Sequence, residues 1–259
     1  MQDRFPNLPG PPCDSLPTQQ LLGLDFAALD LDRVLRHLLA RPAAAPFGYV
    51  VTPNADHLVR LAREPGLCHV YAGAELRLLD SRLVQRSARA LGLAAPPAVP
   101  GSDLTARLLA AVGRSEPVTI VGLPPEWLGP LAARCGIAPP AHHDPPAGFE
   151  HDPQAFARAV RFVLDHPARF VLLAVGAPRQ ERLAAAIAAT GQARGLGLCI
   201  GASLDFLSGR ARRAPRWMQH TGIEWLHRLG SEPRRLAGRY LRDDPAIFAL
   251  LLRERLAAS

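Results

Sequence analysis

The sequence predicts an α/β fold, a mostly parallel sheet with helices on both faces, followed by a basic, helical C-terminal appendage. Three observations carry this. Tyr49–Val51, Pro117–Val121, Phe170–Val175 and Leu196–Ile200 are short continuous apolar runs, each stopped by a Gly or a polar turn, as strands buried on both faces of a parallel sheet are. Between them lie segments with apolar residues at helical spacing, so strand and helix alternate. After Gly209 the pattern changes to arginines interleaved with tryptophan, leucine and tyrosine. Such an order of elements is Rossmann-like.

Taken in order, residues 1–20 hold Pro6, Pro9, Pro11, Pro12 and Pro17 and are expected to be disordered. Leu21 to Phe26 reads as a first strand and Leu31 to Leu39 as a helix. Tyr49–Val51 is a strand whose carboxyl end is Thr52-Pro53-Asn54. Ala55 to Arg63 is a helix stopped by Pro65-Gly66. Leu67 to Ala72 reads as a weak strand. Leu76 to Leu79 leads to Asp80, and Arg82 to Leu91 is a helix. A Pro-rich loop, Ala94 to Gly101, precedes a helix that Asp103 could cap and that runs to Val112. Trp127 to Cys135 is a helix, residues 142–148 a loop, and Pro153 to Leu164 a helix. Gly176 and Pro178 separate the Phe170 strand from a helix over Arg179–Thr190, which ends near Gly191. The main α/β domain is therefore expected over 21–209 and the appendage over 210–259.

Composition narrows the partners. Cys13, Cys68, Cys135 and Cys199 are single and widely spaced, which excludes a usual zinc site and argues against a disulfide framework. The N-terminus has no basic region followed by an apolar one, and no apolar stretch reaches the roughly 20 residues a membrane-spanning helix needs. A reducing cytoplasm is the expected compartment. Every basic residue is Arg. From Arg210 to Ser259 eleven arginines stand against five acids, so six of the formal net +7 lie in the last fifth of the chain. Charge so concentrated points to an anionic partner: phosphate, lipid headgroup or nucleic acid. Trp217, Trp225, Leu226 and Leu229 beside Arg213, Arg216 and Arg228, then Leu236 and Tyr240 among Arg234, Arg235 and Arg239, read as short amphipathic helices. Such helices either pack on the main domain or lie on an anionic membrane surface.

In open α/β sheets ligands sit outside the carboxyl ends of the strands. Five places there carry polar groups: Thr52 and Asn54, Asp80, Gln180 with Glu181, His142-His143-Asp144, and Asp205 after Gly201. Each has a purely structural alternative. Asn54 and Thr52 can serve turn chemistry. Asp80 can be an N-cap, or a general base. Gln180 can be an exposed first-turn residue, and Glu181 can simply suit a helix dipole. Asp205 can be another cap. Two adjacent His rarely meet one ion, and no third ligand is evident, so no metal is expected.

Gly176-Ala-Pro-Arg-Gln-Glu181, Gly201-Ala-Ser-Leu-Asp-Phe-Leu-Ser-Gly209, Arg212-Arg-Ala-Pro-Arg-Trp217 and Gly222-Ile-Glu-Trp-Leu-His-Arg-Leu-Gly-Ser-Glu-Pro-Arg-Arg235 follow one another in the chain. Earlier stand Thr52-Pro-Asn54, Leu79-Asp-Ser81 and Pro100-Gly-Ser-Asp-Leu104. In this order the motifs resemble the WecG/TagA/CpsF family of bacterial glycosyltransferases over roughly residues 20–250. The resemblance implies an inverting, metal-independent transfer of a sugar from a UDP-sugar donor to a polyprenyl-diphosphate-linked acceptor in envelope or exopolysaccharide synthesis, with no cofactor. It implies Asp80 as the base, with Ser81 where the family usually has Gly. It implies Thr52, Asn54 and Gln180 around the sugars, Asp205 and His143 at the nucleoside, and Arg228, Arg234 and Arg235 at the leaving diphosphate. It also implies an appendage that docks on the inner face of the cytoplasmic membrane, homo-oligomers, and no nucleic-acid partner. One departure stands out: Ala98 occupies a position where the family commonly carries Arg. Arg77, Arg82 and Arg86 are candidates to replace it; otherwise the chain is a catalytically weakened member. Two rivals lie outside the family. A nicotinamide-dependent oxidoreductase lacks its G-x-G-x-x-G after a strand. A nucleic-acid-binding protein could use the Arg-rich, aromatic tail.

Overall fold

The computed structural model describes residues 16–215, 218 and 244–257. The first 15 residues of the segment expected to be disordered lie outside these. So do Trp217, Arg228, Arg234, Arg235 and most of the expected appendage.

Six strands form one parallel sheet: β3 (Gly48–Val51), β4 (Leu76–Arg77), β5 (Val118–Val121), β6 (Ala141–His143), β7 (Phe170–Leu173) and β8 (Leu196–Cys199), in the spatial order β4-β3-β8-β7-β5-β6. All five pairings are parallel, with Val51 opposite Cys199 and Leu173 opposite both Cys199 and Val121. The helices follow the alternation. α1 (Leu31–Ala40), α5 (Gly101–Val112), α6 (Leu128–Cys135) and α9 (Ser203–Ser208) cover one face. α2 (Ala55–Arg63), α3 (Cys68–Ala72), α4 (Arg82–Ala90), α7 (Pro153–Asp165) and α8 (Arg179–Ala189) cover the other. Alternate strand residues serve the two layers: Phe170 and Leu172 belong to one apolar core, Val171 and Leu173 to the other, and all four are fully buried. This is the period-2 geometry of a pleated strand in a three-layer fold.

Three expectations need correcting. The first strand is not part of the sheet. β1 (Thr18–Leu21) and β2 (Leu24–Ala27) form an antiparallel hairpin of their own, turned at Leu22-Gly23 with φ of 50° and 73°. The hairpin begins inside the segment expected to be disordered. Leu67 to Ala72 is a 3-10 turn followed by α3, not a strand; Leu67, Cys68, Val70 and Tyr71 are buried while His69 is exposed, a helical rather than an alternating pattern. His142 and His143 lie in β6, not a loop.

A buried tyrosine and a half-buried arginine hold the left edge of the sheet. The Tyr49 hydroxyl donates to the Val70 carbonyl, so the phenol satisfies its polar end as a buried Tyr must. The Arg77 guanidinium, on β4, donates to the carbonyls of Asp25 (2.6 Å), Tyr71 (3.2 Å), Ala72 (3.0 Å) and Ala74 (2.9 Å). It ties hairpin, α3 and β4 together.

The final described helix, α10 (Asp244–Ala257), packs back on α2 and α4. Ile247 and Leu251 are fully buried in the same core as α2 and α8, and Glu254 accepts from the Leu22 amide at the hairpin turn with both oxygens at 3.0 Å. No described helix is long and apolar enough to cross a membrane. Because Leu251 is fully buried, Leu251→Ala will lower the unfolding free energy by about 2–5 kcal/mol, the usual range for a buried Leu. Leu252→Ala, at a position 49% exposed, will cost under about 0.5 kcal/mol, as surface changes do. Urea unfolding of the two variants checks this; equal costs would contradict the docking.

Candidate active site

Because all six strands run in one direction, their carboxyl ends share one edge. At that edge the chain must leave the sheet six times, and polar side chains first become available there. The direction of exit differs between neighbours. After β7 the chain enters α8 on one face, and after the adjacent β5 it enters α6 on the other. A crevice between strands forms where neighbouring connections part in this way. Gly122 and Leu123 line the β5 side, with φ of 94° and 71°. A β-carbon on Gly122 would stand 2.8 Å from the Ala174 backbone, so only glycine fits there.

The left half of the edge is built around Thr52. This residue is 6% exposed, and its hydroxyl donates to the Cys199 carbonyl at 3.1 Å, joining the β3 and β8 turns. Gly101, first residue of α5, closes on the same spot: a β-carbon there would lie 3.0 Å from Thr52 Oγ1 and 3.4 Å from Asp80 Oδ2. Thr52, Asp80 and the start of α5 therefore converge. Asp80 is half-buried, its amide donating to the Pro53 carbonyl at 2.9 Å. It does not cap α4; Ser81 does, accepting from the Val84 amide at 3.1 Å. Asp80 Oδ2 lies at the strand end, facing the first residue of α5. Sequence reasoning could have found the Ser81 cap, since Ser is itself a good cap.

Ala98 lies beside this group, bridged in parallel to Leu79, with the Val99 amide donating to the Leu79 carbonyl. Of the arginines considered as substitutes for an Arg at 98, Arg77 is engaged by carbonyls as described above. Arg86 is exposed on α4. Arg82 reaches α5, where Asp103 takes Arg82 at 3.6 Å and also pairs with Arg213. Asp103 is not the cap of α5, whose cap position is Pro100. It gathers two guanidinium groups two residues from the point where Thr52 and Asp80 meet. Arg213 was not foreseen in this place, and only its Arg-rich surroundings hinted at it.

The right half is stitched by Gln180 and Glu181. Gln180 is 2% exposed, not a surface residue. Its Oε1 accepts from the Gly201 amide at 2.9 Å, and its Nε2 donates to Glu181 Oε1 at 2.8 Å. Glu181 is fully buried, so a helix-dipole explanation is not enough; its Oε2 has no hydrogen-bond partner among the described residues. Burial pushes its carboxyl up to about 7, against the opposing effects of the Gln180 hydrogen bond and the Arg60 charge.

The remaining expected residues are more dispersed. Asn54 caps α2, accepting from the His57 amide at 3.3 Å, as turn chemistry suggested. Asp205 lies in the first turn of α9 and pairs with Arg210 at 2.8 Å. His142 and His143 alternate across β6 and point to opposite faces. His142 Nε2 meets the Leu123 carbonyl at 2.8 Å, while the His143 ring packs on Phe162 with centroids 5.3 Å apart. Burial lowers the His143 pKa, so it stays neutral. No three His, Cys, Asp or Glu among the described residues are placed to share a metal ion.

A shallow hollow of about 310 Å³ between Glu116, Pro117, Pro167, Arg169 and Arg194 sits at the opposite end of the strands. Its central Arg169 is bound to Glu116 at 2.7 Å and to the Leu39 carbonyl. The hollow lies at the amino-terminal edge, away from the turns where the polar residues converge, so the carboxyl edge is the candidate site.

The pH dependence of stability reports on Glu181. An unfolded Glu titrates near 4.5 and the folded one near 7. Between these values the native state holds a proton that the unfolded state has lost. The stability this lends is fully present below about pH 4.5 and is lost as pH rises through 7. Glu181→Gln removes that slope. Relative to wild type the variant will gain on the order of a few kcal/mol between pH 4.5 and 7.5, measured by denaturant unfolding across that range. A constant difference would rule out a titrating buried acid.

Among known families, the model of the glycosyl transferase WecG/TagA/CpsF family matches residues 19–259.

Proposed function

The chain belongs to the WecG/TagA/CpsF family of glycosyltransferases, whose model matches nearly all of it, and from that premise we propose that it is an inverting enzyme. In this reading it moves a sugar from a UDP-sugar donor to a polyprenyl-diphosphate-linked saccharide acceptor. The carrying observation is the convergence of Asp80 Oδ2, Thr52 Oγ1 and the first residue of α5 at the carboxyl edge of the sheet.

Inversion needs one carboxylate facing an acceptor hydroxyl. Asp80 takes that proton as the acceptor oxygen attacks the anomeric carbon. The bond from that carbon to the diphosphate oxygen breaks on the opposite side, and the electron pair leaves with UDP. Thr52 steadies the acceptor side. Asn54 and Gln180 orient the sugar, Gln180 chiefly through the Gly201 turn that it holds. Asp205 and His143 border the nucleoside, the neutral His143 offering a ring and no charge. The departing diphosphate gains negative charge, which arginine answers best because it can donate two parallel hydrogen bonds. Arg82 and Arg213, gathered by Asp103 beside Asp80, compensate for Ala98 in this reading, and Arg228 and Arg235 complete the phosphate contacts. The arginine-rich tail suits an acceptor held at an anionic membrane surface, on the inner face of the cytoplasmic membrane. Assembly into homo-oligomers is part of the same proposal.

The test is UDP release from a panel of UDP-sugars with a short-chain polyprenyl-diphosphate-sugar acceptor in vesicles, with and without EDTA. Turnover is expected to need the lipid acceptor and to survive EDTA. Asp80→Asn should reduce kcat at least about a hundredfold, the lower end for loss of a general base, while UDP binding measured by calorimetry stays within about threefold. Full activity of Asp80→Asn would sink the base assignment.

A further inference from the structure

The buried pair Gln180–Glu181 makes a second, unassigned contribution. Gly201 follows β8 and has φ of 52°; its amide points back across the edge rather than along a strand. The acceptor it finds is Gln180 Oε1. An amide N–H can only donate, so this contact fixes which end of the Gln180 side chain is oxygen. Nε2 must then face Glu181, and Glu181 Oε1 must accept from it. In the neutral acid the proton sits on Oε2, the oxygen without a partner, and Oε1 remains free to accept. The order of donors and acceptors is therefore determined along the whole line Glu181, Gln180, Gly201.

The surroundings keep this line isolated from solvent. α2 contributes Asp56, His57 and Arg60, of which Arg60 pairs with Asp56 at 3.4 Å and donates to the Ala177 carbonyl at 3.3 Å. α3 contributes Tyr71, β3 contributes Tyr49, and β8 contributes Cys199. α7 buries Ala155, Ala159 and Val163 in this core, with Phe156, Val160, Phe162 and Leu164 packed against it. Within this set Glu181 supplies the acceptor that satisfies Gln180 Nε2.

We propose that Glu181 is a positioning residue of the transferase: through Gln180 it fixes the Gly201 amide, and so sets the β8–α9 turn against which the donor is held. Glu181 touches no substrate. Its effect reaches the site because the Gly201 turn is shared by two supports. One is Gln180; the other is Thr52, bonded to the Cys199 carbonyl two residues earlier. Loss of the Glu181 acceptor leaves a buried N–H unsatisfied, which frees the Gln180 amide to rotate and releases Gly201. The inference rests on the transferase reading only for its kinetic arm.

Two variants separate positioning from folding. Glu181→Met fills the same volume without an acceptor. Glu181→Gln keeps a carbonyl oxygen for Gln180 Nε2. Each is measured for donor KM and kcat, and for hydrogen exchange of the Gly201 amide by NMR. The Met variant is expected to raise donor KM about tenfold or more with a smaller change in kcat, and to speed Gly201 exchange about tenfold, the equivalent of one buried hydrogen bond. The Gln variant should restore both to within about threefold of wild type. Wild-type Gly201 exchange in the Met variant would overturn the proposal, as would equal behaviour of the Met and Gln variants. If wild type transfers no sugar from any UDP-sugar, the transferase specifics fail while Gly201 exchange still decides the link between Glu181 and the turn.

Discussion

A strand buried on both faces in a parallel sheet can present polar chemistry only where it stops. That constraint shapes this protein. β7 and β8 have no exposed residue between Phe170 and Leu173 or between Leu196 and Cys199, so nothing along their length can meet a substrate. Six parallel strands deliver six turns to one edge, and the polar side chains of the candidate site lie in those turns or just after them. Thr52, Asp80, Gln180 and the Gly201 amide are brought together by strand order, since β4, β3, β8 and β7 are successive neighbours. They come from four separate stretches of sequence spanning 150 positions. Chain proximity had nothing to do with it; sheet order had everything.

The same constraint explains what was legible in the sequence. A strand buried on both sides must be apolar throughout, so Phe170–Leu173 and Leu196–Cys199 announce themselves. Residues that follow them stand out by contrast, which is why Gln180 and Asp205 could be picked before any coordinates. Short, edge elements escape the rule. β6 has three residues, two of them His, and all three half-buried; as the last strand of the sheet it pairs on one side only and carries no continuous apolar signal. α3 escaped for a different reason. A five-residue helix shows one turn and a half, too little for its period to separate from an apolar strand.

Local sequence was also ambiguous about which of two adjacent polar residues caps a helix. Asp80 and Ser81 both could. The structure assigns the cap to Ser81, and Asp103 illustrates the converse: a residue with the right type for a cap three positions too late, used instead to hold Arg82 and Arg213. Glu181 was readable as a helical first-turn acid and nothing more. Its burial arises from α3 and α2 folding over α8, contacts between segments about 110 to 125 residues apart, and no local pattern encodes that. The family resemblance supplied the positions expected around the candidate site, while burial supplied the reason that one of them, Gln180, is not free to swing.

The far end of the chain is joined to this site by packing. α10 lies on α2 and α4, the helices that begin directly after Asn54 and Ser81. Its Glu254 holds the Leu22 amide, the hairpin passes from Leu22 to Asp25, and Arg77 grips the Asp25 carbonyl from β4, three residues before Asp80. Partial burial pushes the Glu254 carboxyl up, opposed by that same amide, so the contact is half-buried between α10 and the hairpin. A change in how the tail sits would thus be felt at the start of α4 through two independent routes, one apolar through Ile247 and Leu251, one hydrogen-bonded through the hairpin. Between Pro215 and Asp244 runs the arginine-rich segment. The described residues that flank it are held on the main domain, by Arg213 at Asp103 and by α10 at α2 and α4.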